Sequence, residues 1–109
     1  MSHKPDIEAL VLGALADGPL HGYRISQAIK ARSEGVLKTG DNQIYPTLHR
    51  LETEGLVKAE WHAQEGKPSR KVYSLTEGGA QRLEQKRSEW QRFSSMFSVA
   101  IGMPEPNHG

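Results

Sequence analysis

The chain contains no cysteine among its 109 residues, so disulfide bonds, thiolate metal sites and thiol redox switches are excluded. It has no secretory signal and no apolar run near the roughly 20 residues that a membrane-spanning helix requires. An excess of positive charge is also missing, because the net charge is only +1 at pH 7. We therefore expect a cytoplasmic protein without a membrane partner, and not a strongly basic, nonspecific nucleic-acid binder. Any affinity for DNA must come from local clusters of basic residues.

Enzyme motifs are absent as well. The sequence has no phosphate-binding glycine loop, no nucleophile–base motif and no long insertion that could form a pocket. The histidines His21, His49 and His62 lack the i, i+4 spacing that places two metal ligands on one helix. We predict that the chain is not an enzyme and holds no cofactor or metal. With 36% hydrophobic residues it should form one small domain, which a partner subunit would help to stabilise.

The segment Gly40–Val57 organises the rest of the sequence, because it has the pattern of a helix about four turns long. Asp41 and Asn42 are both favourable N-cap residues, and Gly55 supplies a C-terminal stop. Helical spacing places an apolar stripe on one side of this helix, formed by Ile44, Leu48 and Leu51. The stripe predicts that this side faces the core.

The opposite side of the same helix is polar. It carries Asn42, Pro46, His49 and Thr53, flanked by Gln43, Tyr45 and Arg50. Amide and guanidinium groups can pair with base edges in the major groove of DNA, and the N-terminus of a helix favours a phosphate. Taken alone, the pattern also fits an ordinary amphipathic surface helix. The segments on either side favour a DNA-recognition helix.

Two helices are predicted before this segment. A helix over residues 6–16 follows from the spacing of the apolar residues Ile7, Leu10, Val11, Ala14 and Leu15. After a turn at residues 17–19, a second helix is expected from about Gly22 to Ser33, and Gly35–Lys38 is interpreted as a short strand. Three helices in this order match a helix-turn-helix arrangement.

A hairpin is predicted after the candidate recognition helix, with strands Val57–Glu65 and Ser69–Leu75 joined by Gly66-Lys67-Pro68. Alternation places these residues on its inward face: Val57, Ala59, Trp61, Ala63, Tyr73 and Leu75. The tip is basic, with Lys67, Arg70 and Lys71. Charged hairpin tips are usually only solvated, but here the tip lies where a wing would reach DNA phosphates. The predicted fold is mainly α with a small β-hairpin (α+β), a winged helix-turn-helix.

A last, long helix is predicted from the N-cap Thr76 to about Ile101. Its apolar residues recur every seven positions in two rows, interrupted by Lys86: Leu83, Trp90 and Phe97, and Phe93 and Ala100. At about 37 Å it would exceed the body it packs on, which favours dimerisation over an intramolecular core helix. The predicted organisation is a DNA-binding unit over 6–75, a dimerisation helix over 76–101 in the same compact unit, and disordered ends at 1–5 and 102–109.

Three segments carry a family resemblance: GPLHGYRI at Gly18–Ile25, IYPTLHRLETEGLV at Ile44–Val57 and RKVYSLTEGG at Arg70–Gly79. With them the chain resembles the PadR family of transcriptional regulators, in its short form with one C-terminal helix. SEWQRF at Ser88–Phe93 lies where the dimerisation helix of that family runs. Many members carry Ser-Pro-Gly where this chain has Gly40-Asp41-Asn42, so no operator sequence can be carried over.

The resemblance implies a homodimeric repressor that binds a palindromic operator through two recognition helices about 34 Å apart, and leaves it when a ligand or another signal arrives. Base contacts are expected first from Gln43 and Tyr45, then from Asn42, His49 and Arg50. Phosphate contacts are expected from Lys67, Ser69, Arg70 and Lys71. Each has a plainer alternative, such as a core role for Tyr45 or an ion pair between Arg50 and Glu54.

The resemblance also bears on two further sites. His21 is expected to cap or brace the turn before the second helix, and Tyr23 to pack near the DNA-facing edge. Multidrug-sensing members stack flat aromatic ligands on a tryptophan between the subunits, and Trp90, followed by Phe93 and Phe97, is similarly placed. The alternative for Trp90 is a filling role in the dimer core. For the whole chain, the alternative is a winged helix of another regulator family, or one used for protein–protein contact.

Overall fold

The four helices and the two strands of the hairpin follow one another in the predicted order. The computed structural model describes residues 6–104, with α1 Ile7–Ala14, β1 Leu20–His21, α2 Gly22–Arg32, α3 Asp41–Thr53, β2 Val57–Gln64, β3 Lys67–Leu75 and α4 Glu77–Ala100. The predicted α+β fold with a hairpin and a long last helix is confirmed. Of the ends predicted to be disordered, residues 1–5 and 105–109 lie outside the described residues.

The core lies where α1, α2 and α3 meet the sheet and the start of α4. The predicted stripe of α3 is buried there, and the cluster comprises Val11, Leu12, Ala14, Leu15, Ile25, Ile29, Ile44, Leu48, Leu51, Val57, Tyr73 and Leu83. Burial of such side chains contributes about 1.5–3 kcal/mol each before the entropy cost of folding. This packing fixes which face of α3 remains in solvent.

The third strand of the sheet is not where the sequence suggested. Leu20 and His21 pair with Tyr73 and Val72, giving the strand order β1-β3-β2. The predicted strand at Gly35–Lys38 is wrong, because that segment closes the C-terminus of α2. Glu34 has the left-handed φ of 54° and donates its N–H to the carbonyl of Ala31 at 3.1 Å, and the N–H of Gly35 donates to the carbonyl of Lys30 at 2.8 Å. These two bonds form a Schellman motif at the end of the helix.

The hairpin turn is tighter than predicted. Gly66, with φ 68°, makes the turn, and Lys67 and Pro68 already belong to β3, so their predicted place in the connection is wrong. Trp61 and Ala63 were expected to face inward but are exposed, because the hairpin extends past the helices that cover Val57 and Ala59. The outer half of the hairpin is therefore free on both faces.

The start of α3 also differs from the prediction. The N-cap residue is Gly40 rather than Asp41 or Asn42, and its N–H donates to the side-chain oxygen of Gln43 at 3.2 Å. The helix ends before Gly55, whose φ of 77° provides the predicted stop. The helix therefore begins one residue earlier than a side-chain cap would place it.

The long helix α4 begins as predicted, since Thr76 is its N-cap and accepts the N–H of Gly79. Gly79 packs against the segment that follows α3, where a Cβ on Gly79 would lie 1.9 Å from the carbonyl oxygen of Leu56. The helix is then anchored in the core by Leu83. None of the described helices is both long and apolar enough to cross a membrane.

An ion cluster joins three helices at the back of α3. Glu8 of α1 is buried, with 8% of its surface exposed, and its carboxylate accepts hydrogen bonds from Arg50 of α3 at 2.9 Å and Arg82 of α4 at 3.1 Å. Lys86 lies 3.5 Å from the same carboxylate and also contacts Asp6. We call these residues the Glu8 cluster.

These partners stabilise the ionised form of the Glu8 carboxylate. Burial alone would raise its pKa, but the hydrogen bonds from Arg50 and Arg82, with the charge of Lys86, lower the pKa below its ordinary value of 4.5. A lowered folded-state pKa means that the contribution of Glu8 to stability is complete above pH 4.5. It is lost as the pH falls through the folded-state value.

Replacing Glu8 by Gln should therefore lower the free energy of unfolding by about 1–3 kcal/mol at neutral pH. This is less than the roughly 3–5 kcal/mol of a fully buried pair, because the three cations are partly exposed. Urea unfolding at pH 7 and at pH 4 measures both the loss and its pH dependence. The difference between wild type and Glu8→Gln should shrink at the lower pH.

Glu84→Gln is the matched control. Glu84 pairs with Arg87 one turn along α4, and both side chains are mostly exposed, so its loss should change the free energy of unfolding by less than about 0.5 kcal/mol. Equal effects of the two substitutions would contradict a structural role for the Glu8 cluster.

Candidate nucleic-acid interface

The outward face of α3 presents polar side chains in a row. Asn42, Gln43 and His49 are exposed, as the sequence predicted. The side-chain oxygen of Gln43 turns back to the N–H of Gly40, which fixes the direction of the amide. The row therefore begins at the N-terminus of α3, where free backbone N–H groups also favour an anion.

Tyr45 joins α3 to the start of α2. Its ring lies over Gly22, where a Cβ would be 2.7 Å from Cε1 and 2.8 Å from the hydroxyl oxygen of Tyr45. Burial raises the pKa of Tyr45, and the charge of Asp41 adds to the effect, so the hydroxyl keeps its proton and can donate. Tyr45 is thus half-exposed beside the recognition face and is not a core residue. The glycine of the His-Gly-Tyr run is explained by this contact.

Arg50 is directed away from the outward row. One of its guanidinium nitrogens bonds Glu8 and the other bonds Glu54 at 2.8 Å, so the alternative ion pair with Glu54 exists. Its side chain is still half-exposed. The geometry gives Arg50 a role in holding α3 against α1.

The wing carries its basic residues in two environments. Lys67, Ser69 and Arg70 are exposed on the outer part of the hairpin. Lys71 is instead paired with Glu52 of α3 at 3.2 Å and lies over the ring of Tyr73; the bond to Glu52 raises the pKa of Lys71. Lys71 therefore braces the wing against the recognition helix, and the outer cations remain available to solvent.

His21 and Tyr23 lie where α2 begins, beside the wing. His21 occupies the N-cap position of α2 but makes no side-chain capping bond. Of its two predicted roles, capping is therefore wrong, and bracing of the turn stays a prediction. Tyr23 is exposed, with its ring centroid 6.4 Å from that of His21. Both residues border the edge that Tyr45 shares with Gly22.

The aromatic residues of α4 lie on a separate surface. Leu83 does not join the predicted seam, since it is 5% exposed and packs in the core. Trp90, Phe93 and Phe97 are 67%, 56% and 50% exposed, and their rings follow one another at 6.0 and 5.8 Å between centroids. The exposed seam therefore begins at Trp90.

Sequence reasoning did not predict the ion pairs of two acidic residues, Glu8 and Glu52. Glu8 shares a helix face with Leu12 and Leu15 at i+4 and i+7, and an acid in line with apolar residues is a signal for a buried ion pair. Glu52 gave no comparable signal, because its partner Lys71 is remote in sequence. Within residues 6–104, no group of three or more His, Asp or Glu side chains could hold a metal ion.

A single surface thus combines the outward face of α3, the start of α2 and the outer wing. It offers amides and a phenol on a helix of 13 residues, and cations on the two-stranded wing beside that helix. Such a helix fits the major groove, and a basic wing fits the adjacent backbone. We call this combined surface the recognition surface.

Comparison with known proteins supports the same arrangement. The model of the transcriptional regulator PadR-like family matches residues 11–85, well over half of the chain. A protein in a transposon of Streptomyces fradiae is 40% identical over 97 residues, which are 88% of this chain and 26% of the relative.

The negative transcriptional regulator PadR of Bacillus subtilis is 36% identical over 67% of this chain and 40% of its own length. Its crystal structure in complex with operator DNA matches with a TM-score of 0.67 and 32% identity, covering 73% of this chain and 45% of that chain. A PadR family transcription regulator from Clostridium difficile matches with a TM-score of 0.76 and 26% identity, over 90% of this chain and 100% of that chain.

The chain spans well under half of the length of the Streptomyces and Bacillus relatives. Residues 11–85, which the family model matches, contain all three components of the recognition surface. With the family model matching most of the chain, the protein belongs to the PadR-like family of transcriptional regulators.

Proposed function

We propose that this regulator is a homodimeric repressor that binds a palindromic operator through its recognition surface. The observation that carries the proposal is the continuity of the outward face of α3 with the start of α2 and the wing, which Tyr45 joins by packing on Gly22. The related PadR of Bacillus subtilis, whose structure contains operator DNA, supports this use of the surface.

Different residues would then serve affinity and specificity. Asn42, Gln43, Tyr45 and His49 face outward and would contact base edges. Lys67, Ser69 and Arg70 would contact phosphates, which adds affinity for any sequence. Arg50 and Lys71, each paired with acids, would position α3 and the wing and contact DNA less directly.

The dimer would form through α4. The helix has 24 residues, a length of about 36 Å, but its large apolar side chains beyond Leu83 are exposed: Trp90, Phe93, Met96, Phe97, Val99 and Ile101. An apolar patch of this kind on one helix marks an interface. Pairing of two α4 helices would bury it and set two recognition surfaces on one side of a two-fold axis.

The effector site would lie in the same interface. Trp90 offers an exposed indole face with Phe93 and Phe97 beyond it, which suits offset stacking of a flat aromatic molecule. The family model ends at residue 85, so this aromatic row lies in the part of the chain that the model does not match. A bound molecule would shift α4 relative to the Glu8 cluster and so change the position of α3.

Two substitutions separate base contacts from phosphate contacts. Asn42→Ala should weaken binding to promoter-region DNA by about 1–3 kcal/mol per half-site and leave binding to random DNA unchanged. Lys67→Ala should weaken both alike and reduce the slope of log K against log salt by about 1 per half-site. Fluorescence anisotropy with specific and random duplexes at several salt concentrations measures both.

Lys30→Ala is the control, because Lys30 is exposed in the last turn of α2, at the end away from the recognition surface. It should leave affinity and salt slope unchanged. A folded dimer that binds no duplex from its own promoter region would contradict the proposal and favour a winged helix that contacts protein.

Phe97→Glu should convert the dimer to a folded monomer, because it places a charge in each half of the apolar seam while the core ends at Leu83. Sedimentation equilibrium measures the association, and circular dichroism measures the retained helix. Gln91→Glu adds the same charge to the other side of α4 and should leave the dimer intact. Loss of association in both variants would contradict the assigned face.

Planar aromatic cations or phenolic compounds should quench the fluorescence of Trp90. The titration is read in a Trp61→Phe background, which leaves one of the two tryptophans. Trp90→Ala should weaken binding of the same compounds, measured by equilibrium dialysis because the reporting indole is gone, by about 0.5–1.5 kcal/mol or more without dissociating the dimer. Quenching of equal strength in the Phe97→Glu monomer would contradict a site between subunits.

A further inference from the structure

A shallow groove of about 270 Å³ lies where the start of α2 meets the outer face of the sheet. Four basic side chains line it: His21, Arg24, His62 and Arg70. His62 and Arg70 are cross-strand partners in β2 and β3, and His21 pairs with Val72, which forms the floor. We call this the histidine groove.

The two guanidinium groups of the histidine groove, those of Arg24 and Arg70, are not neutralised within the described residues. In residues 6–104, no carboxylate lies within 4.0 Å of Arg24 or Arg70; Arg24 donates only to the amide of Gln27. The acid at the rim is Glu60, whose Oε2 lies 3.6 Å from Nε2 of His62. By contrast, Arg50, Lys71, Arg82 and Lys86 are all paired with acids.

The charges that face His21 come from each element around it. The charged groups are Arg24 on α2 and Arg70 on β3, and the titratable pair of His62 and Glu60 lies on β2. The phenols of Tyr23 and Tyr45 border it, and the charge of Asp41 acts on Tyr45. Burial, followed by the charges of Arg70 and Arg24, lowers the pKa of His21. An anion between the two guanidinium groups would remove that repulsion and favour the protonated imidazole.

We propose that the histidine groove binds a backbone phosphate of the DNA and that His21 takes up a proton when it does so. Guanidinium groups hold phosphate oxygens with paired hydrogen bonds, and a shallow groove admits a diester that continues past it on both sides. The inference rests on the proposed DNA-binding function and adds a phosphate contact with its own pH dependence.

The location fits the same duplex. Arg70 belongs both to the wing and to the groove, and His21 adjoins Gly22, on which Tyr45 of the recognition surface packs. A duplex laid along α3 would therefore carry its backbone past this point before it reached the tip of the wing. The groove would hold that backbone between helix and wing.

The direction of the pH effect follows from linkage. If bound DNA raises the pKa of His21, affinity increases as the pH falls through the interval between the free and bound values. The increase can reach about tenfold per pH unit for each proton taken up. Above the bound-state pKa, affinity from this contact should no longer change with pH.

The first experiment follows the imidazole protons of His21 and His62 by NMR in the wild-type protein, assigned with His21→Gln and His62→Gln. The pH titration is repeated with inorganic phosphate and with a promoter-region duplex. We expect the apparent pKa of His21 to rise with both. An unchanged His21 titration with both would overturn the proposal.

The second experiment measures duplex affinity by anisotropy between about pH 6 and 8. A His49→Gln background removes the imidazole of α3 from the profile. His21→Gln should flatten the profile, and Arg24→Gln should reduce the salt slope by about 1 per groove, while Lys30→Gln at the far end of α2 should change neither. A profile and a salt slope that match those of the background in both groove variants would overturn the proposal.

The titrations with inorganic phosphate and with the duplex distinguish a wrong assignment of the groove from a wrong proposal of DNA binding. If the duplex binds but leaves the His21 titration unchanged, the groove assignment is overturned and the DNA-binding function stands. If inorganic phosphate shifts His21 and the folded dimer binds no duplex, both the assignment to DNA and the proposed function are overturned. In that case the groove is a site for a free phosphate.

Discussion

The buried carboxylate of Glu8 is the constraint on which the orientation of the long helix depends. Apolar packing holds α1, α3 and α4 together but sets their rotation only loosely, because it is not directional. Hydrogen bonds from Arg50 and Arg82 to one carboxylate require a specific approach of both helices. Glu8 thereby links α3, which carries the polar row, to α4, which carries the aromatic row. One carboxylate is thus shared by the helix with the polar row and the helix with the aromatic row.

The distribution of charge follows from the same use of acids inside the fold. The protein is nearly neutral overall. Several of its cations form ion pairs with acidic side chains: Arg50, Lys71, Arg82 and Lys86. Among the cations that remain in solvent, Arg24 lies on α2 beside the wing, and Lys67 and Arg70 lie on the wing itself. Positive charge therefore collects on the wing although the chain as a whole is nearly neutral, because Asp6, Glu8 and Glu52 pair with cations elsewhere in the fold. Net charge alone would not have located this surface.

The structure explains several residues of the sequence motifs, each by a different contact. Gly22 lets the ring of Tyr45 occupy the space where a side chain would stand, and Gly79 is required because α4 passes against the backbone carbonyl of Leu56. Tyr45 in turn connects the recognition helix with α2. Leu83 marks the point where α4 leaves the core, so the helix divides into a part that holds the monomer together and a part with exposed aromatic residues.

The sequence by itself determined the elements whose signals are local. The apolar stripe of α3, the stop at Gly55, the hairpin around Gly66 and the cap at Thr76 each depend on neighbours within a few residues. What tertiary structure decided were the contacts between distant residues: the pairing of Leu20 with Tyr73 in place of a strand at Gly35–Lys38, and the bonds of Glu8 and Glu52. It also decided that Trp61 is exposed and Leu83 buried, because alternation and spacing give the face of a side chain but not whether another element covers it.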